Sequence, residues 1–157
     1  MRIAIVGGGH GAYAAAADLA AAGHDVALWR RDGEALRALG ASPQVVLKDA
    51  GGSREVAIAT ATADLGAAVA AAELIVVPLP ATAQDDVARS LAPHLVDGQV
   101  VFLPPGSFGS FAMAQIVRAA GNRARVAWAE TGTLPYLARK HGAREVNVSA
   151  RAVRLPP

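Results

Sequence analysis

Three groups of residues carry chemistry that their types and spacing make readable. The first is Gly7-Gly-Gly-His-Gly-Ala12, in which Gly7, Gly9 and Ala12 fall at the spacing GxGxxG/A. Gly7 permits a tight turn out of a strand, Gly9 lets backbone approach a pyrophosphate with no Cβ in the way, and Ala12 lets a helix pack closely on the strand. The anion is then held by free N–H groups and the positive end of the helix dipole. This is binding chemistry, not bond making, and its ligand is a dinucleotide. The second group is Arg30-Arg31-Asp32. The third is Glu130, an ionisable side chain directly after a predicted strand, the end at which doubly wound sheets bind ligands.

These groups need elements to position them. Arg2 to Val6 is a short β-branched run ending in glycine, the signature of a strand buried on both faces. Gly11 to Ala22 is rich in helix formers with Asp18 as its one charge, and Gly23 stands where a helix stops. Asp25 to Trp29 makes a second strand and closes a βαβ unit of about thirty residues, the context that gives the glycine pattern its meaning.

Cofactor choice is written at the end of that second strand. A carboxylate there accepts hydrogen bonds from the ribose 2′-hydroxyl and repels a 2′-phosphate. Here Arg30 and Arg31 occupy the corner, and two guanidiniums suit a phosphate dianion, so NADP(H) is expected over NAD(H). The alternative is that both arginines are solvated and Asp32, slightly late, reaches the ribose.

The remaining chain alternates. Glu34 to Leu39 reads as a short helix, and Val45 to Lys48 with Glu55 to Ala59 as a hairpin through Asp49-Ala-Gly-Gly52. Asp64 caps a helix to Ala72, and Leu74 to Val77 is a fourth strand stopped by Pro78. Ala83 to Leu91 is helical, Gln99 to Leu103 is a strand stopped by Pro104-Pro105, and Phe111 to Ala120 is helical. Arg125 to Ala129 and Val146 to Ser149 are further strands, separated by Thr131 to Gly142 with a short helical piece. The pattern predicts one α/β dinucleotide-binding domain over 1–157: a doubly wound, mostly parallel Rossmann-type sheet in three α-β-α layers.

Composition narrows the function classes. The 157 residues are 53% hydrophobic, 18% charged and 4% aromatic, which excludes a disordered chain and predicts a core of Ala, Val, Leu and Ile. Cysteine is absent, so there is no thiolate metal site, disulfide or thiol nucleophile; no metal is expected. The net charge is +2 and the basic residues are scattered, which speaks against nucleic acid. Leu65 to Ala83 carries a single charge, Glu73, but Pro78 and Pro80 break it, so no membrane partner is expected. Three glycines and His10 interrupt what would be the apolar centre of a secretory signal, and a cytoplasmic location is expected.

With Gly7 to Ala12, Val77-Pro-Leu-Pro-Ala81, Asp97 to Gly106 and above all Ala129-Glu-Thr-Gly-Thr-Leu-Pro-Tyr-Leu-Ala-Arg139, the whole chain resembles the N-terminal domain of the octopine/nopaline (opine) dehydrogenases. These are related to the nucleotide-binding domains of glycerol-3-phosphate dehydrogenase and ketopantoate reductase. The resemblance implies that Gly7, Gly9, His10, Gly11 and Ala12 hold the pyrophosphate and that Arg30 and Arg31 flank the adenosine ribose. It also implies that Pro78, Leu79, Pro80, Pro105 and Gly106 line the nicotinamide ribose, with Glu130 and Thr131 near the ring. His10 stands where many members have asparagine; the alternative for it is a solvent-facing loop histidine.

The same resemblance implies reduction of an imine formed from an amino acid and a 2-oxo acid, with the catalytic histidine and substrate contacts on a helical C-terminal domain absent from this chain. His24, His94 and His141 read as surface residues, and Ser107 and Ser110 as caps. Glu130 is the one weak catalytic candidate, against an ion pair with Arg139 or another base. Two other readings stay open: a stand-alone, non-catalytic dinucleotide-binding protein, and a glycerol-3-phosphate or ketopantoate-type oxidoreductase. The chain alone is expected to bind cofactor without turnover. Apolar surface at the Pro-rich tail from Arg154 and at Leu134 to Ala138 is expected to favour self-association.

Overall fold

The computed structural model describes residues 1–154, so the last three residues of the Pro-rich tail lie outside the described residues. Six parallel strands form the main sheet: β1 (Arg2–Val6), β2 (Asp25–Trp29), β5 (Thr60–Thr62), β6 (Leu74–Val76), β7 (Val100–Leu103) and β8 (Ala127–Glu130). Their order across the sheet is β5-β2-β1-β6-β7-β8. The chain thus builds outward from β1 in one direction and then returns to its other side. That reversal between β1 and β6 opens a crevice at the carboxyl ends of the strands, the place where doubly wound sheets bind ligands.

One face of the sheet carries α3 (Leu65–Val69), α4 (Ala81–Leu91) and α5 (Gly109–Ala119), packed through Val69, Val87, Leu91, Met113 and Val117 onto Val6, Ile75 and Val101. The other face carries α1 (His10–Ala21) and, beyond it, something the sequence reading did not contain. A second sheet runs in the order β4-β3-β10-β9, from β3 (Gln44–Asp49), β4 (Gly52–Ala57), β9 (Tyr136–His141) and β10 (Glu145–Arg151). The β3–β4 hairpin turns at Asp49 to Gly52 as expected. The strand expected near Val146 exists, but it pairs with β3 and β9 in this second sheet. The short helical piece expected between Thr131 and Gly142 is instead β9, antiparallel to β10. A short helix, α2 (Gly33–Arg37), follows β2.

The alanine content of α1 now has a physical cause. The helix lies between two sheets, so Ala12, Ala14, Ala15, Ala16 and Ala17 are all buried in one cluster with Ile3, Ile5 and Leu28 on one side and Val45, Leu47, Val146 and Val148 on the other. A helix apolar all round is a buried helix, and small side chains let both sheets come close. Its remaining charge, Asp18, is half-buried and paired: Arg151 Nε donates to it at 2.7 Å. Arg151 Nη2 also donates to Asp49 at 2.7 Å, and Arg54 donates to the same carboxylate at 2.8 Å. Hydrogen bonds from Arg54 and then Arg151 hold the Asp49 carboxyl well below the usual carboxylate range. This chain of charges pins α1 to β3, β4 and β10.

Candidate functional site

The glycine turn leaves β1 with the Gly7 N–H donating to Trp29 O at 2.9 Å and with Gly7 at φ 138, a backbone state that glycine adopts without strain. Gly9 is the residue before α1 and offers no side-chain cap. The first intrahelical bond into the turn runs from Tyr13 N to Gly9 O, so the amides of His10, Gly11 and Ala12 have no acceptor within the helix. A Cβ on Gly9 would meet nothing within 4 Å, whereas one on Gly7 would stand 2.9 Å from Leu79 Cδ2 and one on Gly11 2.8 Å from Leu134 Cδ1. Gly7 and Gly11 are therefore small because protein packs on them, and Gly9 presents bare backbone to open space. A cradle of free amides under bare backbone fits a pyrophosphate.

At the end of β2 the Arg30 side chain folds back over the turn. A Cβ on Gly8 would lie 3.0 Å from both its Cζ and Nε. Nη1 donates to Tyr13 Oη at 2.9 Å, Nη2 donates to Asp32 at 3.2 Å, and Nε is buried without an acceptor. Arg31 is exposed. Asp32 is engaged elsewhere: its Oδ1 accepts from Glu34 N and Ala35 N at 3.0 and 3.1 Å, capping α2. The Ala35 amide is the largest cause holding its carboxyl below its ordinary value. The residue that was to compete for the ribose is thus a helix cap and a partner of Arg30.

Two residues absent from the sequence reading belong to this corner. Tyr13 is fully buried, and Lys140 of β9 places its Nζ 4.7 Å from the Tyr13 ring centroid. The Lys140 amide also donates to His10 Nδ1 at 2.9 Å. His10 is exposed, as the solvent-facing alternative had it, but it opens α1 rather than lying in a loop, and the second sheet supplies a donor to its ring. A tyrosine among alanines in the helix was the only local signal; that Lys140 would meet it depends on strand pairing far along the chain.

The other half of the crevice follows β6, β7 and β8. Pro78, Leu79 and Pro80 lead from β6 into α4, where Pro80 is the residue before the helix. Pro105 and Gly106 follow β7; Gly106 N donates to Thr131 O at 3.0 Å and Gln84 Nε2 donates to Gly106 O at 3.2 Å. Glu130 closes β8. Its two oxygens accept from Phe108 N and Ser110 N, each at 2.8 Å. The ion pair with Arg139 is therefore replaced by bonds to the start of α5, whose residue before the helix, Phe108, offers no side-chain cap. The serines were expected to cap this helix, and the carboxylate does so instead. His24 and His94 precede β2 and β7, on the amino-end side of the strands away from the crevice, while His141 ends β9.

Partial burial pushes the Glu130 carboxyl up, and the Ser110 and Phe108 amides outweigh it, leaving it below its ordinary value of 4.5. A carboxyl lowered on folding contributes stability above its unfolded value and loses it as pH falls through the folded one. Glu130→Gln is accordingly expected to cost about 1 kcal/mol near neutral pH, the worth of a typical cap. The difference from the wild type should shrink below pH ~4. Urea denaturation at both pH values checks this; a difference independent of pH would refute the capping role.

Comparison with known proteins agrees with this geometry. The family described as ketopantoate reductase PanE/ApbA matches residues 3–129. The chain belongs to that family. Beyond the PanE/ApbA match, the opine dehydrogenase of Arthrobacter sp. (strain 1C) is 26% identical over 147 residues, which is 94% of this chain and 41% of that protein. Octopine dehydrogenase, solved with NADH and L-arginine, superposes with a TM-score of 0.82 at 23% identity over 96% of this chain and 40% of its own. Yersinopine dehydrogenase bound to NADP+ gives a TM-score of 0.73 at 20% identity over 96% of this chain and 39% of its own. This member of the PanE/ApbA family thus spans about two fifths of the length of these relatives. Among the described residues no helix is long and apolar enough to cross a membrane.

Proposed function

We propose that the chain is the cofactor-holding domain of an opine-type dehydrogenase that uses NADP(H) in preference to NAD(H). The observation that carries the reading is the uncapped start of α1 beneath Gly9, set at the β1–β6 reversal, with Arg30 and Arg31 rather than a carboxylate after β2. His10, Gly11 and Ala12 offer their amides to the pyrophosphate, and Arg30 and Arg31 face the adenosine ribose. Pro78, Leu79, Pro80, Pro105 and Gly106 wall the nicotinamide ribose, with Thr131 beside the ring and Glu130 fixing the α5 loop next to it. The hydride chemistry belongs to the nicotinamide when it is bound; these residues orient the cofactor and exclude water. The relatives differ in the cofactor they were solved with, one holding NADH and another NADP+. Asp32 is held as a cap here, which supports the phosphorylated cofactor.

An amino acid and a 2-oxo acid joined as an imine are the proposed substrates, and most of their contacts come from residues outside this chain. The likeness to the opine dehydrogenase over 147 residues supports them. A simple 2-oxo acid reduced at its carbonyl is the second reading, favoured by the PanE/ApbA match over 3–129. Fluorescence titration of the chain should show NADPH binding about tenfold tighter than NADH, as one added charge-assisted contact gives. It should show no oxidation of NADPH with an amino acid and pyruvate. Tighter NADH binding would overturn the cofactor assignment, and turnover would overturn the need for further residues.

A further inference from the structure

Lys140 comes from the second sheet, yet its charge is delivered to the corner of the main sheet where Arg30 lies. Its Nζ is 4.7 Å from the Tyr13 ring centroid, and Arg30 Cζ is 5.8 Å from the same centroid. One buried ring therefore gathers two cations. Neither is fully matched by negative charge. Lys140 Nζ donates to the neutral Gly142 O, and among the described residues no carboxylate pairs with it within 4.0 Å. Arg30 has only Asp32, which also serves the Glu34 and Ala35 amides, and its Nε is buried with no acceptor. Burial first, and the charge of Arg30 second, press the Lys140 ammonium below its ordinary value. Two like charges held this way repel, and an anion between them relieves both. The pyrophosphate has its own donors at the start of α1. The corner after β2 is where a ribose substituent lies.

Resting on the dinucleotide reading above, we infer that Lys140 is a specificity-determining residue: with Arg30 it grips the phosphate on the adenosine ribose, and Tyr13 sets the spacing of the two cations. Arg30 supplies a planar fork and Lys140 a compact point charge, a pair suited to a tetrahedral dianion. The second sheet is then more than a cover for α1, since it supplies part of the cofactor's address.

The test uses three small probes and calorimetry on the 157-residue chain. Adenosine 2′,5′-bisphosphate and 5′-AMP differ only in the ribose phosphate, and ADP reports the pyrophosphate cradle. In the wild type the bisphosphate should bind about tenfold tighter than 5′-AMP. Lys140→Met should lose about tenfold for the bisphosphate while ADP stays within about twofold. Lys140→Arg, which keeps the charge, should recover most of the loss, an outcome that a packing role for the stem would not produce. Equal losses for the bisphosphate and ADP would assign Lys140 to the pyrophosphate and overturn the inference. Unchanged binding in Lys140→Met would overturn it too, while the wild-type preference still upheld the arginine corner. A wild type that bound ADP but not the bisphosphate would overturn the inference and the NADP(H) assignment together, leaving dinucleotide binding in place. Binding of none of the three would end both readings.

Discussion

Gly106→Ala is expected to lower stability by about 3 kcal/mol, at the upper end for a single added methyl. The new Cβ would fall 2.3 Å from both Cβ and Oε2 of Glu130. The carboxylate could swing away, but the Glu130 Cβ is fixed by strand β8, which pairs with β7 from Ala127 to Glu130. The loop after β7 must therefore move, and three sets of bonds go with it: Gly106 N to Thr131 O, Gln84 Nε2 to Gly106 O, and the Phe108 and Ser110 amides to Glu130. The proposed nicotinamide wall should be lost with the loop, so affinity for the dinucleotide should fall as well. Urea midpoints give the measurement, and a midpoint indistinguishable from wild type would show that the loop has room. Glu130→Gly in the Gly106→Ala background removes the opposing Cβ and should return part of the loss, the coupling expected of residues in contact.

Under the proposed NADP(H) assignment, Arg30→Glu should invert the cofactor preference. The substitution removes a guanidinium from the ribose corner and sets a carboxylate there, able to accept from the 2′- and 3′-hydroxyls and to repel a phosphate. Loss of a charge-assisted contact together with repulsion amounts to about 3 kcal/mol, or about 100-fold against NADPH, while NADH should hold or tighten. The contact with Tyr13 Oη goes too, so the comparison is best made as the ratio of the two affinities, which a general loosening of the corner leaves alone. A ratio unchanged from wild type would show that Arg30 faces neither cofactor's ribose.

Much of the fold around the crevice was legible because its signals are local. The turn pattern and the strand before it are adjacent in sequence, although Gly7 and Gly11 also answer to Leu79 and Leu134 far along the chain, and the prolines after β6 and β7 end their strands where they stand. Asp64 was read as a cap and is one, accepting from Ala67 N at 3.0 Å. The second sheet was not legible for a physical reason. Leu137, Ala138, Arg139 and Lys140 are all good helix formers, and only pairing with β10, through contacts such as Asn147 with Arg139, makes them a strand. Strand preference is decided by such partners more than by the residues themselves. The ion pair expected for Glu130 gave way to other partners for a related reason. Opposite charges can be matched by eye along a sequence, but a carboxylate's better partners here are backbone amides, which exist as donors only once α5 begins at Gly109. Tyr13 and Lys140 show the same limit, because their meeting is a product of topology.

The placing of α1 between the sheets bears on how the molecule comes apart. No layer can be peeled from the helix without wetting alanines that have too little side chain to repack, so the two sheets should melt as one cooperative unit. Any grip on the start of α1 would then be felt by both.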